Sequence, residues 1–114
     1  MHRLVVLALL AACRATAPEG APCGAVATRQ RTLAEADLGS AAVEPATRHL
    51  VEQQLPAIRD ALERACHEGA WSRGVRDCMV QAADHAAFQA CALRLTDDQR
   101  RALDLAARGE TPRR

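Results

Sequence analysis

The 114 residues carry fifteen basic and fourteen acidic side chains, a formal net charge of +1, and are 49% hydrophobic but only 2% aromatic. So even a balance leaves no electrostatic footprint for nucleic acid and no polybasic patch for anionic lipid. The length holds one small domain, and with Trp71 and Phe88 as its two aromatics the core buries little area per residue, so cross-links matter to its stability.

Met1-His2-Arg3 gives a short positive start, followed by the uninterrupted apolar run Leu4 to Leu10. The run falls far short of the roughly 20 residues that span a bilayer as a helix. It has the form of the hydrophobic stretch of a secretory signal. It ends in Leu10-Ala11-Ala12-Cys13, which resembles the lipobox of bacterial lipoproteins: a branched apolar residue, two small ones that fit a peptidase groove, then the cysteine. The resemblance implies that residues 1–12 are a signal peptide, that a diacylglyceryl group is carried on the sulfur of Cys13, and that no other cofactor is needed. Several acyl chains on one residue anchor stably where a single chain binds only marginally. The competing cut, after Ala15-Thr16-Ala17, gives a secreted, unanchored chain and sets Pro18 directly after the cut, a position usually avoided. Every basic residue is Arg, and loss of Arg3 leaves the formal charges of the remaining chain cancelled.

Beyond the anchor, residues 13–27 are rich in Ala, Pro and Gly without periodicity and read as a flexible tether. A helical domain is expected over 28–109. Its first helix, 28–38, is weakly patterned and closed by Gly39. The strongest runs from Pro45 to about Glu68, because Val51, Leu55, Ile58, Leu62 and Ala65 recur at steps of four and three on one face. Pro45 suits the first helical position, and Arg59/Glu63 and Asp60/Arg64 are favourable pairs four apart. Pro56 is expected to bend this helix, and Gly69 to stop it by taking positive φ. Ser72 is an N-cap for a helix with Trp71, Val75, Cys78, Met79 and Ala82 along its inner side. Either Asp84 re-caps the chain and starts a short helix through Cys91, or one helix runs from 73 to 93. Thr96-Asp97-Asp98-Gln99 is a capping box, followed by Leu103, Ala106 and Ala107 and ended by Gly109. Residues 110–114 read as a frayed tail. No segment alternates with period two, so the expected fold is all-α, a small bundle of three to four short helices.

With Cys13 spent on lipid, Cys23, Cys66, Cys78 and Cys91 remain, an even count that in an oxidising compartment points to two disulfides with three connectivities. A turn at Asp84 brings Cys78 and Cys91 to one level, which favours that pair and leaves Cys66 to Cys23; Cys66–Cys78 is the nearest competitor. Against disulfides stands a zinc reading that draws on Cys78, His85, Cys91 and His67, although no pair has the short spacing typical of structural zinc sites. Haem is excluded, because position 63 before Cys66-His67 is Glu rather than Cys. His49 and His85 read as surface or boundary residues. No nucleophile elbow, phosphate loop or zinc-protease helix is present, so no enzyme is expected. Trp71 is the one side chain large enough to anchor a partner, with a plug over the turn between two helices as the plainer role.

The order Cys66, Trp71-Ser72, Cys78, Cys91, then Leu95-Thr96-x-x-Gln99-Arg100 resembles small uncharacterised bacterial lipoproteins and secreted helical proteins with the same spaced cysteines, which carry no assigned activity. Leu95-Thr96-Asp97-Asp98-Gln99 is similar to the LTxxQ motif of the Spy/CpxP family of periplasmic chaperones. That similarity implies a dimeric, cradle-shaped binder of unfolded chains, from which this chain departs in its single motif copy and its extra cysteines. The combined expectation is an envelope lipoprotein, on the outer membrane or a periplasmic face, with a non-catalytic helical module that meets the membrane through its lipid and an envelope protein through its domain. A periplasmic chaperone and a metal-handling protein are the alternatives.

Overall fold

A computed structural model describes residues 19–40 and 42–110. Among them are five helices: α1 Cys23–Ser40, α2 Pro45–Glu68, α3 Arg73–Gln81, α4 His85–Ala92 and α5 Asp97–Ala106. The all-α expectation holds, with one helix more than the three to four expected. The expected signal peptide 1–12, Cys13, the first part of the expected tether to residue 18, and the expected tail 111–114 lie outside the described residues.

The caps follow the local chemistry. Pro45 occupies the start of α2, where its missing N–H has no partner to lose. Ser72 Oγ accepts from the Val75 N–H at the start of α3, and an Asp84 carboxylate oxygen accepts from the Ala87 N–H at the start of α4, at 3.3 and 2.8 Å. The stretch 73–93 is therefore two helices, broken at Ala82 where the backbone turns extended. Thr96 and Gln99 form the expected reciprocal box at the start of α5.

α1 differs most from expectation. It begins at Cys23, five residues before the expected start, so residues 23–27 are helix rather than tether. It packs on three helices at once, α2, α3 and α4. The buried residues, Cys23, Val26 and Ala27 at the start and Leu33 further on, share one broad side of the helix.

α1 and α2 form an antiparallel hairpin, with Gly24 beside Glu63 and Thr28 within reach of Arg59. α5 lies on α2, and the α3–α4 pair closes over α1. The core is centred on Phe88, Leu62, Met79, Val26 and Cys66, all fully buried. Of the face expected on α2, Leu55, Ile58, Leu62 and Ala65 are buried and Val51 is half-buried, while Pro56 points outward in a helix that continues through it.

α2 ends in a Schellman turn: the Trp71 N–H donates to Cys66 O and the Ala70 N–H to His67 O, both at 3.2 Å. The left-handed residue is Ala70, with φ 48°, while Gly69 stays right-handed at φ −80°. Positive φ at Gly69 was the wrong expectation. Gly69 is needed for a different reason: a Cβ there would lie 2.9 Å from Ala65 O and 3.0 Å from the Trp71 indole nitrogen.

Candidate functional site

The end of the molecule where the described chain begins is the most heavily tied. Cys23 at the start of α1 is bonded to Cys66 in the last turn of α2. Just before it, residues 19–22 are held along α3. The Ala21 N–H donates to Asp77 Oδ1 at 2.7 Å, and Arg76 donates to the carbonyls of Ala21, Trp71 and Glu19. Gly20 takes φ 80°, and a Cβ on it would fall 2.5 Å from Arg73 Cγ, so only glycine brings the strand of chain this close to α3. Arg73, on the outside, sits between Glu19 and Asp77 at 3.8 and 3.5 Å. Sequence patterning missed this latch, since residues 19–22 carry no period; the signal that marks it is Gly20 before an Ala-Pro pair, with Arg76-Asp77 distant in the chain.

Next to the latch, Gln99 joins two helices. Its Oε1 accepts from the Thr96 N–H at 2.9 Å, closing the capping box, and its Nε2 donates to Gly69 O at 2.8 Å. One side chain thus caps the start of α5 and satisfies a carbonyl freed at the end of α2. Leu95 is buried beneath. The five residues Leu95 to Gln99 therefore have a structural task inside this domain.

Cys78 of α3 and Cys91 of α4 form the second disulfide. Arg29 of α1 reaches the same junction and donates through Nε and Nη2 to Ala82 O, the carbonyl exposed where α3 ends. Both bridges match the favoured pairing.

The zinc reading fails on this arrangement. The Cys78 and Cys91 sulfurs are bonded to each other, so the thiolates that a zinc ion requires are consumed. His67 is exposed, with its nearest carboxylate, Glu63, 3.9 Å away. His85 lies exposed beside Gln89, and His49 beside Gln53. Among the described residues no three His, Cys, Asp or Glu side chains gather as a metal site. The partner-anchor reading of Trp71 fails too: the residue is 3% exposed, packed into the turn as a plug, and its indole N–H has no hydrogen-bond acceptor.

Charges elsewhere lie on the surface. Arg59 hydrogen-bonds Glu63 at 2.8 Å and Asp60 at 3.1 Å; the Glu63 bond first of all raises its guanidinium above the ordinary arginine range, desolvation opposes it next, and the Asp60 bond adds to the rise. A hollow of about 280 Å³ opens between α4 and α5, floored by Leu62 and Phe88 and edged by His85 and Asp104. No described helix is long and apolar enough to cross a membrane. No protein-family model, no curated protein and no solved structure matches this chain.

Proposed function

We propose that this chain is a bacterial envelope lipoprotein whose disulfide-braced helical domain is a non-catalytic interaction module, tied to a membrane through a diacylglyceryl group on Cys13 and engaging an envelope protein with its exposed faces. The observation that carries the reading is the fate of the five cysteines. Four are spent in two internal bridges, and the odd one is the residue that ends Leu10-Ala11-Ala12-Cys13. An odd cysteine in an oxidised chain needs a separate explanation, and the lipobox supplies one. Bridges of this kind persist in the periplasm or outside the cell rather than in a reducing cytosol. The exposed apolar side chains Leu50 and Leu93, 59% and 72% accessible, are the contact points a protein partner would meet first.

Growth with radioactive palmitate is the direct test. The wild-type chain takes up label and Cys13→Ala does not; equal labelling of the two removes the anchor. Thiol counting on protein taken from cells gives no free thiol, because the Cys13 sulfur carries the lipid as a thioether, and four reactive thiols would remove the oxidised module. The chaperone alternative draws on Leu95 to Gln99, but those residues already cap α5 and bind Gly69 O. The metal-handling alternative requires sulfurs that the second bridge has taken.

A further inference from the structure

The latch shortens the tether. Residues 13–27 read as spacer, yet Ala21 is held by Asp77 and Arg76, Glu19 by Arg76 and Arg73, and α1 starts at Cys23. Only residues 14–18 separate Cys13 from the first packed residue, Glu19. Six Cα steps span at most about 21 Å even when fully extended. We propose that the end of the bundle formed by residues 19–22, the first turn of α3 and the last turn of α2 stands against the headgroups of the bilayer that holds Cys13, with the α1–α2 hairpin directed away from it. The proposal rests on the lipid anchor at Cys13 and adds which face meets the membrane.

Two further observations fix the occupant as lipid headgroups and the pose as end-on. The tied end carries both signs on accessible side chains, Arg73 between Glu19 and Asp77. That mixture complements the phosphate and ammonium of a zwitterionic headgroup rather than a strongly anionic surface. α1 begins at this end and runs away from it, so Gly39 lies about 24 Å further along the hairpin. The exposed Leu50 belongs to that distal half, in the N-terminal half of α2, and is carried clear of the headgroups to where a protein can reach it.

The absence of lysine from the chain makes the pose measurable. Gly74 in the first turn of α3 and Gly39 near the hairpin tip each have open space where a Cβ would stand and are right-handed or extended. Gly74→Lys and Gly39→Lys therefore each supply a single side-chain amine for a fluorophore, with unsubstituted protein giving the background. The lipidated full-length variants are placed on phosphatidylethanolamine-rich vesicles bearing headgroup quenchers, after mass spectrometry of the Cys13 peptide. Quenching at position 74 exceeds that at position 39 by roughly twofold or more, as expected for ~24 Å of stand-off. Insertion of ten Gly/Ser residues after Ala17 lowers the difference. Equal or reversed quenching in protein carrying the lipid overturns the pose and leaves the anchor intact. A Cys13 peptide without lipid, and protein that stays in solution, overturns the anchor and the pose together.

Discussion

Gly69 and Ala70 sit at the last turn of α2 in an order opposite to the one their chemistry favours. The left-handed position of the turn falls on Ala70, φ 48°, whereas the equivalent turn at the end of α5 places Gly109 there, φ 72°, with the Glu110 N–H bonded to Leu105 O. A left-handed alanine costs about 1–2 kcal/mol relative to its right-handed form, part of which the larger unfolded-state entropy of glycine offsets. Ala70→Gly therefore stabilises the fold by about 0.5–1 kcal/mol, read as a higher urea midpoint at unchanged slope. Gly69→Ala acts in the opposite direction. Its Cβ meets the Ala65 carbonyl, a backbone atom that cannot retreat cheaply, and the change costs about 1–3 kcal/mol. Sequence reading assigns the positive φ to the glycine because glycine is the usual carrier; only the packed Trp71 indole reveals why the glycine is one residue early. Gln99 separates two tasks in the same way. Gln99→Glu keeps an acceptor for the Thr96 N–H but has no donor for Gly69 O, and loses about 1 kcal/mol; Gln99→Ala loses both bonds and about twice as much. Equal losses in the two variants would show that the bond from the Thr96 N–H contributes nothing, and an unchanged Gln99→Glu would show the same of the bond to Gly69 O.

Among the elements, legibility follows the local pattern. α2 is read correctly from its apolar spacing because it is covered on one side and solvated on the other, and the starts of α3 and α5 are read from Ser72 and Thr96, whose side-chain bonds depend on local sequence alone, while the break before α4 at Asp84 was one of two readings left open. α1 is half-missed because its buried residues are few and the side they share is interrupted by the polar Gln30 between Ala27 and Leu33. α1 is also fixed by long-range contacts, the Cys23–Cys66 bridge and Arg29 on the Ala82 carbonyl, and no local pattern encodes a partner 43 or 53 residues away. Arg29→Leu removes a charged donor from the carbonyl that ends α3 and lowers stability by about 1.5–3 kcal/mol. Arg31→Leu, two residues on, breaks only an exposed pair with Glu35 and changes stability by less than about 0.5 kcal/mol. Thermal or denaturant melts of the two variants side by side make the comparison, and similar losses would mean that Arg29 is a surface residue in effect.

For the molecule as a whole, the two bridges divide the work of holding so small a core together. Cys78–Cys91 was readable from the sequence because the turn at Asp84 puts the two thiols at one level within a local hairpin. Cys23–Cys66 followed only as the remainder, since the helix that carries Cys23 was not recognised there. In chain-entropy terms the bridge spanning 43 residues restrains the unfolded chain more than the one spanning 13, and each is worth about 3–4 kcal/mol. They differ more in access. Cys23, Cys66 and Cys91 are buried, 7%, 1% and 4% exposed, and both bridges border a shallow groove, but Cys78 alone of the four is half-buried and offers its sulfur to an attacking thiolate. Thiol–disulfide exchange needs the attacking thiolate to reach sulfur. Under native conditions dithiothreitol therefore opens Cys78–Cys91 first, and alkylation trapping over time shows modified Cys78 and Cys91 while Cys23 and Cys66 remain joined. Because the Cys23–Cys66 bridge also holds the start of α1 beside the latch on α3, its opening releases the packed chain from Glu19 to Ala27. Amide exchange at Ala21, whose N–H is bonded to Asp77, then accelerates with loss of the second bridge and not of the first. Acceleration at the first step would show that the latch depends on the α3–α4 hairpin rather than on the bond between α1 and α2.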